Sequence, residues 1–480
     1  MIASALPSSP TPGDSVLLGR RIRQRQSGSV GFRHAVSSID HKASGDREIL
    51  NYRGESHLIT VAPTGTGKTT GCIIPNALSY PGSMVIVDVK SGELTRVTAR
   101  RRREMGQEVV VLDPFHVTDE QPGGLSPLEI FSLPGSDLEA DAEMLAALFG
   151  RENFGVKDPF WDQHGMALLA AVTAVVARLA PAERKLSKVF EYLLADDTVY
   201  NLAVLLDTLG KEIPKSAYRE IAAFLQMPEI TRGGVLATTL SYLKTLHSPS
   251  VLQSLESTTF SLPDFIAGRP MTIYLVLPVD KIQSHRSVLK LWIGTLLKAI
   301  VSRTHRPEHR TLLMIDECGQ LGHFPFLETF ITLCRGFSCS VWTCWQDLEQ
   351  LKAAYPVSWK TLLNNCGILQ AFGFTNRDLT EQWSTYLDTS PSELRALARD
   401  EAIVSIAGQG EHRVRMLNYL RDREFAGQFE ENPLYAPGCP QMQSPGEAAI
   451  PPLPNLPQPR SRRKRSGGDA GEGGLGARQS

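Results

Sequence analysis

The residues richest in possible chemistry lie in APTGTGKTTGCIIPN, residues 62–76. Lys68 has the reach for the β- and γ-oxygens of a bound triphosphate, and the Thr69 hydroxyl is a ligand for Mg²⁺. Gly65 and Gly67 accept positive φ and let the backbone approach phosphate oxygens closely. Thr64, Gly65, Thr66, Gly67, Lys68, Thr69 and Thr70 therefore make the expected cradle for a nucleotide such as ATP. Ala62 stands where the usual spacing G-x-x-x-x-G-K-[ST] has its first glycine. Pro63 accounts for the exchange, because a residue before proline is pushed to extended conformations that alanine adopts without strain. The competing reading is a glycine-rich turn that happens to end in Lys-Thr.

A cradle alone says nothing about turnover. LLMIDE (312–317) supplies the missing half: an apolar strand ending in two carboxylates. Asp316 is placed for the metal side, and Glu317, one residue on, for polarising an attacking water. Two solvated acids at a strand end are the plainer account of the same residues. Gln346 closes the next apolar strand, SVWTCWQ (340–346), where a γ-phosphate would lie by the crevice rule for parallel sheets. It either orients the water and reports phosphate loss, or makes an ordinary loop hydrogen bond. Arg335 is a candidate for reaching the neighbour's nucleotide if subunits form a ring, an effect worth roughly 10³–10⁵ in rate; otherwise it is a surface arginine. In DVKSGE (88–93), Asp88 and Lys90 flank a crevice position, followed by Arg96 and the run of Arg100 to Arg103. That basic face is read as solvated, with nucleic-acid backbone as the alternative contact.

Positioning these groups requires buried strands. HLITV (57–61) leads into the cradle, and apolar runs recur at 84–90, 108–114, 272–278, 311–317, 340–346, 367–374 and 402–408. Continuous apolar runs of this kind fit a parallel sheet covered on both faces, hence an α/β fold. Between about 138 and 262 the spacing turns helical with almost no strand signal. The expected organisation is a weakly ordered basic arm at 1–50, an α/β nucleotide-binding domain at 51–137 and 263–432, an inserted all-helical domain at 138–262, and a disordered Pro/Gly/basic tail at 433–480 that carries RSRRKR.

The chain has 480 residues and a formal net charge of −1, so no global basic field advertises nucleic acid. Its seven cysteines form no C-x-x-C pair and no zinc spacing, which reads as reduced, buried thiols in a cytoplasmic protein. The start lacks a secretory pattern, and the most apolar window, residues 165–180, is short for a membrane span and reads as a buried helix.

Residues 62–115, 260–278, 312–338 and 345–356 together resemble the type IV secretion coupling proteins, the TraG/TraD type of conjugation ATPases, in order and over about residues 54–420. The resemblance implies a RecA-like P-loop NTPase motor with an all-helical insertion, a homo-hexamer, and a place at the cytoplasmic face of the bacterial inner membrane. It also implies ATP and Mg²⁺ as ligands, DNA binding, and ATP-driven delivery of DNA–relaxase complexes or effector proteins to the channel. By position, Lys68 and Thr69 would hold phosphate and metal, Asp316 and Glu317 would act as metal-side acid and base, Gln346 as sensor, and Arg335 as the residue offered in trans. The family usually begins with two membrane helices that this sequence does not show, which implies a soluble variant or a truncated start. A non-secretory DNA translocase and a nucleotide-binding adaptor without turnover are the alternatives.

Overall fold

The computed structural model describes residues 14–22, 48–149 and 159–432. The tail expected at 433–480, with RSRRKR and Cys439, and Arg23 and Arg25 of the N-terminal basic cluster lie outside the described residues. The described residues form eleven strands: β1 (Val16–Arg21), β2 (Ile49–Tyr52), β3 (His57–Val61), β4 (Met84–Asp88), β5 (Glu108–Leu112), β6 (Met271–Val276), β7 (Thr311–Ile315), β8 (Cys339–Trp345), β9 (Cys366–Phe372), β10 (Glu401–Ile406) and β11 (Gly410–Arg415). They join one sheet in the order β2-β1-β11-β10-β9-β3-β8-β7-β4-β6-β5. From β9 to β5 every neighbouring pair is parallel.

Burial on both faces explains the apolar runs. Ile59, Val61, Val85, Val87, Leu313 and Ile315 point into one core, which also takes in the helices between β5 and β6. Leu58, Met84, Ile86, Leu312 and Met314 point the other way, onto Cys72–Leu78 and the helix Glu93–Glu104. Period-two alternation is hidden when both sides are apolar.

Two expectations change. The run at 402–408 lies in β10, which is antiparallel to β9 and returns through a tight turn into β11. A strand buried on both faces carries the same apolar run whichever way it points, so direction is not written in it. The arm expected at 1–50 contains β1, antiparallel to both β11 and β2. Val16 and Leu18 are buried, and the Asn76 side chain grips the strand: its Oδ1 accepts from Leu17 N–H at 2.8 Å and its Nδ2 donates to Leu17 O at 3.0 Å. A six-residue strand set between Pro, Ser and Gly has too little pattern of its own to stand out.

Between β5 and β6 the described residues hold helices and no strand. The apolar window belongs to a longer helix, Phe160–Arg178, whose 19 residues make it long and apolar enough to cross a membrane by length and composition. Length therefore does not decide its place; Leu168–Ala177 are buried among neighbouring helices. This block is docked on the helix Ile282–Val301, which follows β6. Gly294 of that helix lies against Leu148, where a Cβ would come within 2.4 Å of the leucine side chain, so a larger residue there would have to push the Leu148 methyls aside. Beside it, Lys298 pairs with the buried Asp141 at 2.5 Å. The described residues form one compact unit.

His57 opens β3 fully buried, and its Nδ1 accepts from Val341 N–H of β8 at 3.0 Å. Burial, helped by Arg335 and Arg310, lowers its pKa from 6.5 to about 4. The unfolded chain then takes up a proton near pH 6.5 while the folded chain resists until about pH 4, so stability present above pH 6.5 is lost as pH falls through that window. The stability advantage of the wild type over His57→Asn should shrink from pH 7 to pH 5, by up to about 1.4 kcal/mol per pH unit. Denaturant unfolding of both proteins at each pH measures it; a gap independent of pH contradicts the assignment.

Candidate functional site

The C-terminal ends of the parallel strands define one edge of the sheet, and the cradle lies there. Ala62 is buried and extends the β3 ladder, its N–H donating to Trp345 O of β8 at 3.0 Å. The position thus calls for extended backbone, which alanine supplies. Gly65 and Gly67 have φ of 77° and 97°, conformations that a side chain would strain. Thr66 Oγ1 donates to Pro63 O at 2.6 Å and Thr70 Oγ1 to Gly67 O at 3.3 Å, fixing the loop from within. Thr64 and Gly65 form its exposed rim. A π-helical turn, Thr69–Ile73, then runs into the helix Ile74–Ser79. Lys68 is buried, with Nζ donating to Ala62 O at 2.5 Å and Pro63 O at 3.2 Å. Its ammonium is held inside the loop it would use to grip phosphate.

Asp316 and Glu317 follow β7, separated from β3 by β8 alone. Register fixes their reach: Ile315 is opposite Thr343 of β8, and Trp345 is opposite Val61. Thr69 Oγ1 donates to Asp316 Oδ2 at 3.1 Å. Asp316 Oδ1 is buried and has no partner among the described residues. Glu317 is nearly buried and adopts left-handed backbone, φ 58° and ψ 50°, which costs a non-glycine residue on the order of 1 kcal/mol. Gln346 Nε2 donates to Glu317 Oε2 at 2.9 Å, and Gln346 N–H is held by Gln350 Oε1 at 3.0 Å. Lys68, Thr69, Asp316, Glu317 and Gln346 are thus gathered at one place.

Lys90 is there as well, and sequence reasoning stopped short of it. Its Nζ donates to Thr69 Oγ1 at 2.8 Å and to Asp316 Oδ2 at 2.9 Å, and lies 3.5 Å from Glu317 Oε1. Burial opposes the charge on Lys90, but Asp316 and Glu317 outweigh it and hold the ammonium above the ordinary lysine range. The available signal was strand order: a lysine two residues past β4 meets acids one and two residues past β7 only if those strands are neighbours, as they are. Asp88 anchors the turn, accepting from Thr95 N–H and Oγ1 at 2.9 Å each. Burial raises the Asp88 pKa despite those bonds.

Arg335 is elsewhere. It precedes β8, so the strand's length, roughly 20 Å at about 3.3 Å per residue, separates it from Gln346. It is exposed, and Nη2 donates to Asn365 O. The arginine run of the helix Glu93–Glu104 is engaged within the chain. Arg102 is buried, donating to Gly82 O and Thr272 Oγ1 at 2.8 Å each. Arg100 pairs with Glu104 and Glu430, Arg101 with Glu104, and Arg103 with Glu120.

A hydroxyl, a carboxylate with a partnerless buried oxygen, and a second carboxylate nearby make a set of hard oxygen donors, which fits Mg²⁺. Among the described residues no cluster of three or more His, Cys, Asp or Glu is arranged to hold a metal unaided. Mg²⁺ typically takes one or two protein oxygens and completes its shell with phosphate and water, so the two facts agree.

Comparison with known proteins gives a family and a fold. The model of type IV secretory system conjugative DNA transfer proteins matches residues 22–390. The conjugal transfer protein TraG of Rhizobium radiobacter is 28% identical over 308 residues, covering 63% of this chain and 47% of that protein. The type IV secretion system-coupling protein VirD4 of Bartonella quintana is 26% identical over 349 residues, covering 70% and 54%. The chain spans about half the length of the curated relatives it matches. Among solved structures, the plasmid coupling protein TrwB in complex with ADP and Mg²⁺ superposes with a TM-score of 0.61 at 18% identity, covering 85% of this chain and 95% of that one. At that identity the likeness establishes the fold, a RecA-like α/β core.

Lys68→Ala should weaken binding of a fluorescent nucleotide at least tenfold, as loss of a charge-assisted contact implies. Asp316→Asn should abolish the dependence of that binding on Mg²⁺. Titration with and without Mg²⁺ checks both, and wild-type affinities in both variants contradict the site.

Proposed function

The chain belongs to the type IV secretory system conjugative DNA transfer family, and from that premise we propose that it is an ATP-hydrolysing coupling protein that binds DNA and passes DNA–relaxase or protein substrates to a secretion channel. The observation that carries the hydrolytic part is the meeting of Thr69 with Asp316, with Glu317 and Gln346 beside them.

Each residue has a role that follows from its surroundings. The N–H groups around Gly65 and Gly67 would cradle the phosphate oxygens. Lys68 exchanges the carbonyls of Ala62 and Pro63 for phosphate oxygens. Thr69 and Asp316 hold Mg²⁺, which when bound neutralises phosphate charge. Glu317 takes the proton of the attacking water, and Gln346 fixes the orientation of the Glu317 carboxylate through its hydrogen bond. A free carboxylate would sample several rotamers; one tied at Oε2 presents Oε1 in a constant direction.

Arg335 lies too far along the sheet to serve its own site. In a homo-hexamer it is the residue offered to the neighbour's nucleotide, where it would offset charge in the transition state. A place at the cytoplasmic face of the inner membrane, beside the channel, follows from the same family reading. Supporting the motor rather than an adaptor is the Glu317–Gln346 pair, since nucleotide used only as a structural ligand needs no oriented base.

Purified full-length protein should hydrolyse ATP, faster with single- or double-stranded DNA. Glu317→Gln should lower turnover about 10²–10⁴-fold while nucleotide binding persists. No hydrolysis above a Lys68→Ala control, with or without DNA, defeats the proposal.

A further inference from the structure

We propose that Lys90 is a resident counter-cation of this site, competing with a divalent cation for Thr69 Oγ1 and Asp316 Oδ2. The inference rests on the nucleotide reading above and adds a residue to it.

The position of one ammonium carries it. Lys90 Nζ bridges Thr69 Oγ1 and Asp316 Oδ2 at 2.8 and 2.9 Å, with Glu317 Oε1 at 3.5 Å. These are the oxygens assigned to the cation and to the attacking water. Mg²⁺ binds oxygen at roughly 2.1 Å, so a cation on the same two oxygens stands within about 4 Å of that nitrogen. Asp316 is buried, and positive centres this close repel strongly where water does not screen them. Entry of the metal therefore requires the ammonium to leave.

The surroundings permit the side chain to move while the main chain stays. Lys90 N–H donates to Asp88 Oδ1 at 3.4 Å, and Ser91 and Gly92 follow with φ of 55° and 80°. Arg96 Nη1 holds Ser91 O at 3.0 Å. The Lys90 side chain itself is 32% exposed, and its four-carbon stem ends in donors free to rotate. A displaced ammonium needs a new anion. The phosphates of a nucleotide supply one and arrive together with their metal. A metal ion alone supplies none. The site should thus resist bare divalent cation and accept cation and nucleotide together.

The test uses the full chain and Mn²⁺ alone, without nucleotide, with free Mn²⁺ measured by electron paramagnetic resonance. Lys90→Met should bind Mn²⁺ at least tenfold more tightly than the wild type. Lys90→Arg, which keeps the charge, should stay with the wild type. Adding Asp316→Asn to Lys90→Met should remove the gain. Equal Mn²⁺ affinity in wild type and Lys90→Met overturns the proposal, as does a gain that survives Asp316→Asn. If circular dichroism shows that Lys90→Met has not folded, Lys90→Gln is read in its place. Fluorescent-nucleotide binding to the wild type is measured alongside. Its failure would sink the nucleotide reading, whereas the Mn²⁺ comparison decides Lys90 separately.

Discussion

The site depends on a single hydrogen bond's length of separation between two distant parts of the chain. Thr69 Oγ1 and Asp316 Oδ2 are 3.1 Å apart in space and 247 positions apart in sequence. Nothing local brings them together. β3 and β7 are held in parallel on either side of β8, so the cradle after one and the acids after the other open on the same edge. The intervening strand ends in Gln346 and delivers it to Glu317. A slip of one residue in β8 would turn Trp342 and Cys344 to the opposite core and break this arrangement. The large apolar side chains on both faces are therefore what hold the register of the polar edge.

Two of the backbone's unusual conformations lie around that edge. Glu317 and Ser91 are non-glycine residues at positive φ, and each stands next to a group of the site. Such positions persist only where surrounding contacts over-determine them. Asp88, buried and bonded to Thr95 and to Lys90 N–H, does this for the turn after β4. Gln346, itself held by Gln350, does it for Glu317 through the bond to Glu317 Oε2.

Contacts on both faces of the sheet join its elements to the rest of the molecule. Asn76, on the helix that continues the cradle, bonds both polar groups of Leu17, so the N-terminal strand is fastened to the phosphate loop's own helix. On the other face, Gly294 against Leu148 and Lys298 with Asp141 join the helical block to the helix that follows β6.

Sequence alone singled out the glycine-rich loop, the two acids that close β7, Gln346 and the strands that carry them. Each is specified by neighbours within a few residues: a glycine beside a lysine, or two acids closing an apolar run. The resemblance to coupling proteins was legible for the same reason, in short segments with fixed internal spacing. Tertiary structure alone decided what depends on distant partners. It turned β10 against the parallel strands, drew residues 16–21 out of an apparently structureless arm, and buried Arg102 in a run that reads as solvated. It put Lys90 on the oxygens of Thr69 and Asp316 and Arg335 at the far end of β8. Strand order and direction come from which apolar faces fit together. That is a property of the whole packed core, and no local stretch of residues encodes it.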